Sequence, residues 1–212
     1  MNPGISEPAK VENNLFPVFL KLDQMQLLLV GGGNVALEKL QAIIRNTHRR
    51  KIRIVAPQFC NSIIQLAQSH EGITLITAAY HKIHLQDIQT VFCAVNDATV
   101  SEQVCRDAHA QGLLVNVADK PAQCDFYLGA IAAKGQLKIA ISTNGQSPTL
   151  ARRIKELLQD VLPGNLDTLL HNLHIIRSKL KGDFKDKVER LNKITEEFIS
   201  QKNSSATETK ET

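Results

Sequence analysis

Short apolar runs recur along the first half of the chain, each followed by a longer segment whose apolar residues return every three or four positions. The runs at 26–30, 51–56, 73–79, 90–95 and 113–117 are apolar and partly β-branched without strict alternation. That is the pattern of strands buried on both faces. Segments 34–46, 60–69 and 98–111 carry helical periodicity, and Gly112 stands at the C-cap position of the third. Strand–helix alternation of this kind predicts an α/β domain built on a parallel sheet.

After residue 118 the pattern changes. Runs 126–133 and 136–143, joined by Lys134-Gly135, predict a β-hairpin. Leu137, Ile139 and Ile141 alternate with Lys138, Ala140 and Ser142, so one face is buried and the other more polar. Ser147 as N-cap and Pro148 at the first helical position open a helix that Pro163 stops. From 165 to about 201 the chain reads as amphipathic helix, interrupted near Lys181-Gly182-Asp183. The polar first 14 residues and the tail from Lys202 have little to bury and are expected to be disordered. The resulting division is 1–14, 15–118, 119–147, 148–201 and 202–212.

The first apolar run leads into "VGGGNVALEKL". Gly31-x-Gly33-x-x-Ala36, between a predicted strand and helix, is the G-x-G-x-x-A form of a dinucleotide fingerprint. Gly31 permits the tight turn, Gly33 lets the backbone approach a pyrophosphate, and Ala36 keeps the helix close to the sheet. A helix starting near Asn34 offers free N–H groups and partial positive charge to phosphates. The competing reading is a glycine turn that binds nothing. Rossmann sites for NAD usually carry an acid after the second strand, but here Pro57 and Gln58 follow it. Arg49, Arg50 and Lys51 lie at that strand's start, the wrong end for a 2′-phosphate, so the chemistry tilts to NAD. Asn96 and Asp97 fall at the carboxyl end of the fourth strand, where ligands sit, and Asp97 equally suits a helix cap.

Composition narrows the classes. A chain of 212 residues, 43% hydrophobic, can bury a substantial core. A net charge of +4 is too mild to argue for nucleic acid, yet suits an acidic small molecule. Trp is absent and Tyr occurs twice, so base-stacking platforms are scarce. Cys60, Cys93, Cys105 and Cys124 form no C-x-x-C and read as reduced, mostly buried thiols. With no apolar leader core and no run of membrane-spanning length, the expectation is a cytoplasmic protein without membrane or nucleic-acid partners.

Several stretches in fixed order carry a family resemblance. These are "LFPVFLKLDQMQLLLVGGGNVALEKL", "IRIVAPQF", "VFCAVND", "LLVNVADKPAQCDFYLGAIAAKGQLKIAIST" and "NGQSPTLARRIKELL". Over residues 15–163 the chain resembles precorrin-2 dehydrogenase, the NAD-dependent module that also forms the amino-terminal part of siroheme synthases. The resemblance implies oxidation of precorrin-2 to sirohydrochlorin, with hydride passing to NAD, in siroheme biosynthesis; some members also insert ferrous iron. It implies a Rossmann-type sheet over 15–118, a β-hairpin dimerisation and active-site region over 119–147, a C-terminal helical region, and a homodimer. Cofactor contacts map to Gly31, Gly33, Asn34, Val35, Ala36, Pro57, Gln58 and Asn96. The family's functional aspartate maps to Asp119, placed after an apolar strand where a general base could take a pyrrole proton. The alternative is that Asp119 only shapes the Lys120-Pro121 turn.

A polycarboxylate tetrapyrrole calls for donors and positive charge. Candidates are Lys120, Ser142, Thr143, Ser147 and Arg152, with Lys134, Lys138 and Arg153 behind them. Arg152 is favoured because "SPTLAR" matches the family and joins a guanidinium to a helix start. Three departures stand out: Gly129 where the family often has proline, Asn144 where it often has glycine, and "RNTHRRKIRI" in place of a glycine turn. His81-x-x-His84 and His171-x-x-His174 lack a third ligand nearby, so no metal site is expected. Two other functions compete: a dehydrogenase that is also a ferrochelatase at the same aspartate, and a non-catalytic NAD-sensing module.

Overall fold

The computed structural model describes residues 13–47, 51–164, 166–179 and 185–193. The expected disorder at both termini, the arginines at 49–50 and the helix break near 181–183 lie outside these residues. The chain divides into two compact units, one of 1–128 with 144–146, the other of 129–143 with 147–212.

The first unit is the predicted parallel sheet. Its strands are β1 (Leu27–Val30), β2 (Ile52–Ala56), β3 (Ile73–Thr77), β4 (Thr90–Cys93) and β5 (Leu114–Val117), in the order β3-β2-β1-β4-β5 with every pair parallel. Helices α1 (Asn34–Ile44), α2 (Asn61–Ser69) and α3 (Ala98–His109) connect them. Side chains alternate between two apolar layers. Leu28, Val30, Val91, Cys93 and Val115 pack with Val104 and Ala108 of α3. Leu27, Leu29, Ile52, Ile54 and Phe92 pack with Ala36 and Leu40 of α1 and Ile63 of α2. A sheet covered on both faces accounts for strands that read as unbroken apolar runs. The order reverses between β1 and β4, which opens a crevice beyond their carboxyl ends.

The third strand is shorter than the expected 73–79. Its ladder ends at Thr77, and the chain then leaves the sheet through Ala78, whose N–H donates to the Ala56 carbonyl at 3.1 Å.

The second unit holds a two-stranded antiparallel sheet of β6 (Ala130–Lys134) and β7 (Leu137–Ile141), and the helices α4 (Pro148–Val161) and α5 (Leu166–Lys179). Residues 185–193 are also helical. The hairpin turn is Gly135-Gln136 rather than Lys134-Gly135, with Gly135 left-handed at φ 57°. Asp167 of α5 fastens the turn by accepting the Gln136 N–H at 2.8 Å. Residues 126–129, expected in the first hairpin strand, are not in it. Phe126 belongs to the parallel-sheet unit, where its ring meets Phe92 edge-on at 5.6 Å between centroids. At Gly129 a Cβ would stand 2.7 Å from the Ile141 carbonyl oxygen, so backbone fills the space that proline needs. α4 is capped as expected, the Ser147 hydroxyl accepting the Leu150 N–H at 3.1 Å. Among the described residues no helix is long and apolar enough to cross a membrane.

Candidate dinucleotide site

A cleft of about 710 Å³ lies beyond the carboxyl ends of the strands of the first unit. Its walls include Gly31, Gly33, Asn34, Val35, Pro57, Gln58 and Asn96, seven of the eight cofactor positions expected from sequence. Ala36 is fully buried beneath the turn, against the layer that packs α1 on the sheet.

The three glycines of the turn stand in three different surroundings. Gly31 sits at φ 130°, and a side chain there would collide with the Ala94 carbonyl oxygen. Gly32, which the sequence analysis did not single out, leaves no room for a Cβ against the Gln58 carbonyl oxygen. Its own carbonyl accepts the Cys60 N–H at 2.8 Å. Gly33 has an ordinary extended φ of −95°, and a Cβ there would meet nothing within 4 Å. No protein atom requires glycine at 33, so the open space beside it is free for a ligand. Gly33 is also the N-cap of α1 and supplies no side-chain cap, and the first turn contains no acid. The first-turn N–H groups and the positive end of the helix dipole are left for an anion. A dinucleotide pyrophosphate fits this donor set.

Asp97 lines the cleft but spends its carboxylate on α3, accepting the N–H groups of Thr99 at 2.8 Å and Val100 at 3.2 Å. The helix-cap reading of Asp97 therefore holds. Ala79 and Tyr80, also missed, reach the cleft from the chain leaving β3. The Tyr80 hydroxyl donates to Asp107 of α3 at 3.2 Å, and burial, reinforced by that carboxylate, pushes its pKa far up. An aromatic in a polar segment was the only available signal for Tyr80.

Asp119 stands two residues beyond β5, exposed and left-handed at φ 58°. Non-glycine residues adopt that conformation rarely, though Asp and Asn are enriched among them. The following Lys120 is half-buried, and its carbonyl accepts the Gln123 N–H at 3.0 Å in the short 3-10 turn Pro121–Gln123.

The remaining substrate candidates lie in the second unit. Thr143 and Ser147 bond each other twice: the Thr143 hydroxyl donates to the Ser147 carbonyl at 3.0 Å and accepts its N–H at 3.1 Å. Ser142 is exposed at the end of β7. Arg152 and Arg153 are both exposed and both paired with Glu156, at 3.0 and 3.3 Å. Lys134 donates to the Leu162 carbonyl at 2.6 Å and so closes the end of α4. In the intervening loop Asn144 is left-handed at φ 53° and Gly145 at φ 77°, so asparagine replaces glycine where it is best tolerated. The first histidine pair has a local task. His81 and His84 cap the 3-10 helix Lys82–Leu85 reciprocally, through the Ile83 N–H at 3.3 Å and the His81 N–H at 3.1 Å.

Comparisons with known proteins agree with this division. Residues 18–130 match a family model described as "Putative NAD(P)-binding", and residues 134–160 one described as "Sirohaem biosynthesis protein central". A siroheme synthase of Pseudoalteromonas translucida is 38% identical over 174 residues, 82% of this chain and 36% of that protein. A siroheme synthase of a Psychrobacter species is 38% identical over 176 residues, 83% of this chain and 34% of that protein. The chain thus spans about a third of the length of the siroheme synthases it matches. A solved structure titled "SirC, precorrin-2 dehydrogenase" shares the fold with a TM-score of 0.68 at 24% identity, over 85% of this chain and 89% of that one. The family match covers all five strands of the parallel sheet and the cleft described above, and the chain belongs to this NAD(P)-binding family.

Proposed function

We propose that the chain is the NAD-dependent module that dehydrogenates precorrin-2 to sirohydrochlorin. The observation that carries this reading is the placement of Asp119. It is an exposed, left-handed carboxylate at the carboxyl end of β5, in the same unit as a cleft fitted to a dinucleotide. The names of the relatives and the motif run "NVADKP" support the choice of substrate.

The first turn of α1 and Gly33 hold the pyrophosphate, while Pro57, Gln58 and Asn96 meet the sugar and base. Gln58 stands where a carboxylate is usual and does not itself repel a 2′-phosphate. The reading of NAD over its 2′-phosphorylated form is supported by there being no cation among the described residues that line the cleft. The bound nicotinamide would accept the hydride. Asp119 serves as general base, taking a proton from the macrocycle as that hydride leaves. Lys120, Ser142, Thr143, Ser147 and Arg152 receive the substrate carboxylates. An exposed pair such as Arg152–Glu156 contributes little stability, so Arg152 exchanges its partner at small cost. The protein works as a cytoplasmic homodimer assembled through the hairpin and the helices after Ser147.

The test is anaerobic turnover of precorrin-2 with NAD, followed by NADH absorbance. Asp119→Asn is expected to lower kcat by roughly 100-fold or more while NAD binding is kept. Wild-type protein that binds NAD yet forms no NADH would instead favour the sensing module.

A further inference from the structure

Lys39 lies three residues beyond Ala36 and one before Leu40 on α1, both of them fully buried. Its side chain therefore leaves the helix at the margin of the face packed on the sheet. The residue is half-buried, and its ammonium donates to Asn116 Oδ1 of β5 at 2.9 Å. Asn116 is itself buried, and its amide nitrogen donates onward to the Phe126 carbonyl at 2.8 Å and faces the Cys124 thiol at 3.7 Å. Cys124 closes the ring. Its sulfur accepts the Val117 N–H at 3.2 Å and lies 3.1 Å from the Val117 carbonyl oxygen and 3.4 Å from that of Lys120. The segment 116–126, which carries Asp119, is thus tied across its base, and Lys39 is its tie to α1, beside those that His109 of α3 makes to Asp125 at 3.0 Å and the Ala118 N–H makes to the Cys93 carbonyl of β4 at 2.9 Å.

A lysine is an expensive choice for this place. A neutral amide only partly compensates a half-buried ammonium, and methionine would fill similar space without that penalty. Burial draws the ammonium below the usual lysine range, while Cys124, Asp119, Glu38 and Cys93 act electrostatically to draw it back.

We infer that Lys39 is a positioning residue for Asp119, anchoring the 116–124 segment to α1 through Asn116. It acts from the same helix whose first turn receives the pyrophosphate. The seat of the dinucleotide and the seat of the base are thereby joined by one side chain. This role rests on the dehydrogenase reading.

The test uses the full chain with precorrin-2 and NAD. Lys39→Met is expected to lower kcat roughly 10- to 100-fold, with NAD affinity held within about two-fold. Lys39→Gln keeps a donor toward Asn116 without the charge; it is expected to show a smaller fall than the methionine variant and serves if that variant does not fold. In an Asp119→Asn background the loss from either change should vanish, because a residue acting through Asp119 has nothing left to position. Additive losses, or an unchanged kcat in an active enzyme, overturn the role of Lys39 alone. Wild-type protein that forms no NADH overturns the underlying reading, and the role with it.

Discussion

Gly31 and Gly33 read alike in the sequence and are opposite in physics. Gly31 is fixed by its own protein, through a left-handed φ and the Ala94 carbonyl, whereas Gly33 is open on its side-chain face. Gly31→Ala should destabilise the fold by about 1–3 kcal/mol or more, measured by chemical denaturation. Gly33→Ala should leave stability nearly unchanged and weaken NAD binding by about ten-fold or more, measured by NADH fluorescence titration. Equal losses of stability in the two variants would remove the claim that the space beside Gly33 belongs to the ligand. The thiols extend the argument. Burial pushes Cys93, Cys105 and Cys124 up from the usual range, so the reactive thiolate is scarce at neutral pH. These three are expected to react with a disulfide reagent only after unfolding, which a thiol count before and after denaturant checks.

The elements show which parts of the fold are written locally. The parallel strands, the three crossover helices and the glycine turn were legible because each is announced within a dozen residues by periodicity, caps or glycine. Ser147-Pro148 is such a local signal, and Ser147→Ala should cost about 1 kcal/mol by loss of the Leu150 N–H partner. What escaped the sequence depends on distant partners. Phe126 looks like the start of a hairpin strand, yet its ring answers to Phe92 and its carbonyl to Asn116. Lys134 looks like a surface charge and closes a helix through a carbonyl 28 positions later. The cofactor residues were legible through the fingerprint, while Gly32, Tyr80 and Lys39 become meaningful only once β2, α3 and β5 are folded beside them. Asp119 was legible through the family motif, but its left-handed backbone was not.

At the scale of the molecule, one apolar stripe bears on the homodimer proposed above. Leu150, Leu157 and Val161 of α4 are 52%, 62% and 57% exposed, and their spacing of seven and then four residues aligns them on one stripe. In the homodimer proposed above that stripe is covered, so Leu157→Asp should halve the mass seen by sedimentation at micromolar concentration. A wild-type protein that sediments as a monomer would exclude that role for the stripe. The turn around Gly32 has a wider consequence. Its carbonyl holds the Cys60 N–H, and the space its missing side chain leaves is taken by the Gln58 carbonyl, so the loops after β1 and β2 are fastened through main-chain atoms. The exposed side chain at 58 is no part of that fastening. A substitution of the side chain at 58 is therefore expected to alter what the cleft presents to a ligand while leaving this main-chain fastening unchanged.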